Sequence, residues 1–146
     1  MTTNPNAITV LCYGDFDAWH YDLKIEFKRS PEGIADAVKG LVVDIKQNGL
    51  TQAKAAPKVL LVSPILVNDK ARDFEEYYGG VYYDAESAAK SHRLAEALRV
   101  VANITGSAFF DASTVSAAGD DGIHFSEAAH IDLAEALRAQ VHDLVF

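Results

Sequence analysis

One cysteine, Cys12, in 146 residues leaves no second thiol for an internal disulfide, and that usage fits a reducing compartment. No Cys/His pairs stand at ligand spacing, which argues against structural zinc; no metal and no cofactor are expected. Basic residues are few: 13 Lys and Arg face 21 Asp and Glu, giving a formal charge of −8 and a pI near 4.9. A continuous basic track for phosphate backbones does not fit that balance, so nucleic acid is not an expected partner. No apolar run approaches the roughly 20 residues that span a bilayer. Residues 1–6 carry neither a basic region nor an apolar signal core. The expectation is a cytoplasmic chain with no membrane partner. At 49% hydrophobic and 23% charged, it is long enough for one packed core and too short for two, so residues 1–146 are read as a single domain.

What is present alternates in period. Ile8 to Tyr13 is a continuous apolar run, the pattern of a strand buried on both faces, and Gly14 and Asp15 end it. Ser30-Pro31-Glu32 is a helix start, with Ser as N-cap and Pro in the first turn. Ile34, Val38, Leu41, Val42 and Ile45 then share one face until Asn48-Gly49. That spacing predicts a helix over Pro31 to Gln47. Lys58 to Val62 reads as a second buried strand closed by Ser63-Pro64. Asp84 to Ile104 reads as a long helix with Ala88, Ser91, Ala95, Leu98 and Ala102 on one stripe. Ala108 to Phe110 is a third, short strand, and Ser126 to Leu144 a last helix. Strands alternating with helices point to crossovers on a parallel sheet. The predicted class is α/β, a three-layer α/β/α sandwich with a short parallel sheet. In such sheets ligands gather beyond the carboxyl ends of the strands, where residues 14–22, 63–68 and 111–124 should converge.

Within the last of those loops stands Asp121-Gly122-Ile123-His124, an Asp three residues before a His at a helix start. This is the spacing of a catalytic pair in which the carboxylate orients one ring nitrogen and the other takes a proton. The structural alternative is that His124 only caps the last helix and Asp121-Gly122 is a turn dipeptide. At the other end of the chain, Val10-Leu11-Cys12-Tyr13-Gly14-Asp15 runs into Phe16-Asp17-Ala18-Trp19-His20-Tyr21-Asp22. These two blocks together resemble the SGNH, or GDSL-type, esterases and lipases. Asp22-Leu23-Lys24 with Phe27 and Ser30-Pro31-Glu32 is similar to the segment after that family's third block, and Val59 to Pro64 to its next strand. The resemblance covers nearly the whole chain and implies a reduced SGNH, flavodoxin-like sandwich with His124 as base and Asp121 as its orienter. It also exposes two departures. Phe16 stands where the family has its serine nucleophile. A central stretch with the family's oxyanion glycine and asparagine is absent, as though the chain passed from the first block to about Asp22.

Acyl transfer needs a nucleophile near a base and donors aimed at the developing oxyanion. Phe16 supplies neither. Candidate replacements are the Cys12 thiolate, whose apolar run raises a thiol pKa, the carboxylates Asp15 and Asp17, Ser63, Ser113 or Ser116 from neighbouring loops, or a water activated by His124. Trp19 and Tyr21 are read as packing residues or substrate contacts, and His20, His92, His130 and His142 as surface residues. Tyr77-Tyr78-Gly79-Gly80-Val81-Tyr82-Tyr83 is read as an interface or lid, or as a loop over the sandwich edge. The loss of two strands leaves the first strand as an edge or in a vacated slot, and bares apolar surface. A homodimer about a two-fold axis is the expected repair. Two function classes follow: a minimal ester hydrolase on small ester substrates, or an inactive remnant of the same scaffold that serves as a binding or dimerisation module.

Overall fold

The computed structural model describes residues 30–49, 56–71 and 88–145 in full and the backbone of 8–12 and 85–87. Strand β1 spans Ile8–Cys12, helix α1 Pro31–Asn48, strand β2 Lys58–Ser63, helix α2 Ala85–Thr105, strand β3 Ala108–Asp111 and helix α3 Glu127–Val145. One 3₁₀ turn, Ala112–Thr114, follows β3. The three strands are parallel in the order β1-β2-β3, with Cys12 opposite Val62 and Ser63 opposite Asp111. Every predicted element is present within one or two residues of its predicted ends.

The alternation of β2 explains why its apolar run has no polar positions. Val59 and Leu61 point to one face, where they pack with Ile34, Val38 and Val42 of α1 and Leu94, Leu98 and Val101 of α2. Leu60 and Val62 point to the other, against Leu133, Leu137, Val141 and Leu144 of α3. A strand with helices on both sides is buried throughout. The result is the expected three-layer α/β/α sandwich. The layers are unequal: the first cluster is made of fully buried side chains, whereas Ala129 is the one buried residue of α3.

Local chemistry sets the ends. Ser30 has extended backbone and its Oγ accepts a hydrogen bond from the Gly33 N–H at 3.1 Å, with Pro31 at the first helical position. Gly106, at φ 62°, turns the chain out of α2. Lys46 Nζ donates to the Thr105 carbonyl and, at 2.9 Å, to the Gly106 carbonyl, tying the ends of α1 and α2 together. Arg99 lies over the Phe109 ring, 4.5 Å from its centroid.

Two expectations of the stripe reading are corrected. Leu41 is not in the core: it is 46% exposed, because Val38 and Val42 already fill the α1 face and Leu41 lies at its margin. In α2 the core is carried by Leu94 as well as Leu98 and Ala102, while Ala95 is only half-buried. Among the described residues β1 pairs with β2 alone, which puts it at one edge of the three described strands.

Candidate active site

The segment between β3 and α3 folds back on itself before the helix begins. Gly119 N–H donates to the His124 carbonyl at 2.7 Å, Gly122 N–H to the Gly119 carbonyl at 3.2 Å, and Ala118 and Phe125 form an antiparallel bridge. Asp121 sits at the tip. Its Oδ1 accepts from the backbone N–H groups of Ile123 and His124, both at 2.9 Å, and its Oδ2 lies 2.6 Å from His124 Nδ1. Both carboxylate oxygens are therefore committed within a four-residue turn. Ile123, between them, is buried and anchors that turn to the body of the domain.

Gly122 is what lets the turn close. Its φ of 77° is in the left-handed region, and a Cβ there would lie 2.5 Å from the Ala71 nitrogen and 2.6 Å from Asn68 Oδ1. The chain after β2 presses directly on this spot. Asn68 N–H donates to the Gly122 carbonyl at 3.1 Å, while Asn68 Oδ1 accepts from Lys70 N–H and the Asn68 carbonyl from Ala71 N–H. Ser91 of α2 fixes the preceding residue: its Oγ accepts from Val67 N–H at 3.2 Å and donates to the Ala88 carbonyl at 2.7 Å. Asn68 and Ser91 were not among the sequence candidates. The Asn68-Asp69 turn dipeptide was the available signal for the first; nothing distinguished Ser91 from its apolar stripe.

The electrostatics follow from the geometry. Partial burial pushes the Asp121 carboxyl up, but the Ile123 N–H, the His124 ring and the His124 N–H all favour its charged form. The net effect holds it below its ordinary value. A charged Asp121 against Nδ1 selects the tautomer with the proton on Nδ1 and the lone pair on Nε2. The His124 side chain is more than half exposed. The capping alternative is corrected: Ser126 caps α3, its Oγ accepting from Ala129 N–H at 3.1 Å and its carbonyl from His130 N–H. Asp121 and His124 lie before the helix and bond to each other.

The replacement nucleophiles are placed as follows. Ser63 ends β2 and is 1% exposed. Ser113 Oγ donates to Asp111 Oδ1 at 2.7 Å, and buried Ser116 Oγ donates to the Ala129 carbonyl at 2.9 Å. Neither of those two hydroxyls is bonded to His124. Cys12 is the last residue of β1, in register with Val62. Asp15, Phe16, Asp17, Trp19, His20 and Tyr21 lie outside the described residues, as does the segment 77–83. His92, His130 and His142 are exposed; the His130 ring packs on Phe125 with centroids 5.0 Å apart. Among the described residues no group of His, Cys, Asp and Glu is arranged to hold a metal, and no helix is long and apolar enough to cross a membrane.

No protein-family model and no curated protein sequence matches the chain. Solved structures do. Est24, a carbohydrate acetylesterase from Sinorhizobium meliloti, is 29% identical with a TM-score of 0.74. The native aryl esterase of M. smegmatis is 33% identical with a TM-score of 0.73. Each match covers 94% of this chain and 60% of the other. A further carbohydrate acetylesterase family member from Sinorhizobium meliloti, at 21% identity and a TM-score of 0.78, agrees in fold. The chain thus spans about 60% of the length of the solved structures that it matches.

Proposed function

We propose, for a chain that has the fold of the SGNH/GDSL-type hydrolases, that it hydrolyses small esters with His124 as general base and Asp121 as its orienting partner. The observation that carries the reading is the 2.6 Å contact between His124 Nδ1 and Asp121 Oδ2, made while Asp121 Oδ1 is held by two backbone N–H groups. A base held this firmly needs no reorganisation when it takes a proton. The neighbours are a carbohydrate acetylesterase and an aryl esterase, which supports short acyl groups as the substrate class.

The nucleophile in this reading is water. His124 Nε2 removes a proton as the water oxygen attacks the ester carbonyl, and the imidazolium so formed is stabilised by Asp121. The same proton then passes to the alcohol oxygen as the tetrahedral adduct collapses to carboxylic acid and alcohol. Cys12, Ser63, Asp15 and Asp17 are the competing nucleophiles, and Trp19 and Tyr21 the proposed substrate contacts. A second reading, a non-catalytic binding scaffold, is favoured by the sequence: Phe16 stands where the resembled family has its serine nucleophile.

Hydrolysis of p-nitrophenyl acetate separates the two. The expected result is turnover that His124→Ala abolishes without unfolding the chain, that Asp121→Asn reduces, and that Cys12→Ala leaves unchanged. Loss of turnover in Cys12→Ala would make the thiolate the nucleophile. Activity absent, or indifferent to His124, would leave the scaffold reading. The homodimer proposal rests on the β1 edge and on the exposed Leu41, Val100, Ile104 and Ile131; sedimentation at micromolar concentration should give about twice 15.8 kDa, and a monomer would refute it.

A further inference from the structure

The buried stripe of α2 runs through Ser91, Leu94, Leu98, Val101 and Ala102, the spacing of one helix face. Four of the five are apolar and share a core with Val59 and Leu61 of β2. Ser91 is the exception, and it stands where β2 has ended. Beyond Ser63 the chain leaves the strand, yet Ile65 and Val67 are still buried. A buried N–H outside the ladder needs another acceptor. For Val67 that acceptor is Ser91 Oγ, at 3.2 Å, and the same hydroxyl gives its proton to the Ala88 carbonyl at 2.7 Å, so its orientation is fixed from both sides.

We infer that Ser91 is a positioning residue for the Asp121–His124 pair, acting through residues 67 and 68; the inference deepens the hydrolase reading and rests on it for its kinetic consequence. Two consecutive N–H groups go to different elements: that of Val67 to Ser91 in α2, and that of Asn68, at 3.1 Å, to the Gly122 carbonyl. Residues 67 and 68 therefore tie α2 to the residue between Asp121 and Ile123. The tie has little slack. The Asn68 Oδ1 and carbonyl are held by the N–H groups of Lys70 and Ala71, and a Cβ at Gly122 would lie 2.5 Å from the Ala71 nitrogen. The hydrogen bond keeps the loop from moving away, and the contact keeps it from moving closer. Next to Gly122, Asp121 Oδ1 takes the N–H groups of Ile123 and His124 while Oδ2 faces His124 Nδ1 at 2.6 Å. Without the Ser91 hydroxyl the Val67 N–H is left buried and must turn toward water or another acceptor. Gly122 moves with residues 67 and 68, and the carboxylate loses its aim at Nδ1. What Ser91 preserves is the Nδ1–H tautomer, with its lone pair on Nε2.

The test reads the His124 ring nitrogens by NMR in ¹⁵N-labelled protein, at a pH where the imidazole is neutral. In the parent, Nδ1 should give the shift of a protonated ring nitrogen and Nε2 that of a bare one. Ser91→Ala should lower the ratio of the Nδ1–H to the Nε2–H tautomer about tenfold, the effect of one weakened hydrogen bond, and draw the two shifts together. Ser91→Thr, which keeps a hydroxyl able to bond the preceding turn, should restore them. Ser91→Cys, close to serine in shape but a weak acceptor, should follow alanine and serves where the alanine variant does not fold. Thr105→Ala removes a comparable hydroxyl at the other end of α2, one that donates to the Val101 carbonyl at 2.8 Å; it should leave the ring shifts alone, which a general loosening of the helix would not. In ester hydrolysis Ser91→Ala should lower kcat about tenfold or more with KM unchanged. Ring shifts unchanged in the folded alanine and cysteine variants, no recovery in the folded threonine variant, or an equal change in Thr105→Ala would each overturn the inference. The expected shifts in a protein that shows no esterase activity would sustain the role of Ser91 and remove the proposed hydrolysis.

Discussion

Replacing Gly122 by alanine tests whether the dyad turn is wedged against the chain after β2. Two costs are legible. The left-handed φ of 77° charges an alanine about 1–2 kcal/mol. The new Cβ would also sit 2.5 Å from the Ala71 nitrogen, 2.6 Å from Asn68 Oδ1 and 3.0 Å from the Lys70 carbonyl carbon. Two of these atoms are backbone and the third belongs to a short side chain already bonded to Lys70 N–H, so nothing can swing aside. Relief requires moving the 68–71 turn away from Gly122 and losing the Asn68 N–H bond to its carbonyl, roughly another 1–2 kcal/mol. The total is about 3 kcal/mol, a large part of the stability of a small domain. Gly106 is the internal control: its φ is 62°, but a Cβ there meets only Lys46 Nζ at 3.9 Å, so Gly106→Ala should cost only the backbone strain of about 1–2 kcal/mol. Urea unfolding followed by circular dichroism gives both values by linear extrapolation. If the two variants agree within about 0.5 kcal/mol, the contact between Gly122 and residues 68–71 contributes nothing and the account of how the dyad is held is wrong.

Other substitutions probe the layers and the charge. Leu98→Ala, at 1% exposure in the α1/α2 core, should destabilise by about 3 kcal/mol, while Leu41→Ala, 46% exposed, should cost under about 1 kcal/mol; denaturant titration checks both. Ser30→Ala removes the acceptor of the Gly33 N–H and should cost about 1 kcal/mol with no effect on ester hydrolysis. For Asp121 the folded carboxyl titrates below its ordinary value of 3.8. The stability it contributes is therefore complete above that value and is lost as pH falls through the depressed folded one. Asp121→Asn should be less stable than the parent near neutrality and should flatten the parent's decline below about pH 4; parallel acid-unfolding curves would refute the linkage.

The sequence carried the architecture better than the site. The run at Lys58 to Ser63 was readable because Val59 to Val62 are buried on both faces of β2 and leave no polar position to confuse the period, and Ser30-Pro31 marked a helix start by capping chemistry alone. The dyad was readable because its two members are three residues apart. Its support was not: Asn68 and Gly122 are 54 positions apart in the chain, and neither periodicity nor turn preference encodes which turn lies against which. Leu41 lies on the predicted stripe and yet outside the core, because a helical stripe defines a sector while burial depends on how wide a sector the partner helix covers. The capping role fell to Ser126 instead of His124, although Ser before an apolar period is the stronger signal of the two.

Among the described residues, Asp121 and His124 are held by their own turn, by Ile123 and by the 68–71 turn. All of these described contacts belong to the β2 to α3 part of the chain, and none of them depends on the identity of a nucleophile. Persistence of the dyad is evidence about folding before it is evidence about catalysis. The rate decides between them. A positioned base acting on water supplies roughly 10²–10⁴-fold over the uncatalysed reaction, and each oxyanion donor about a further 10²–10³-fold. A His124-dependent acceleration within the first range is what the visible geometry can deliver. An acceleration of about 10⁶-fold or more would demand donors or a nucleophile beyond the dyad, and the substitutions to locate them would be Asp15→Asn, Asp17→Asn and Cys12→Ala.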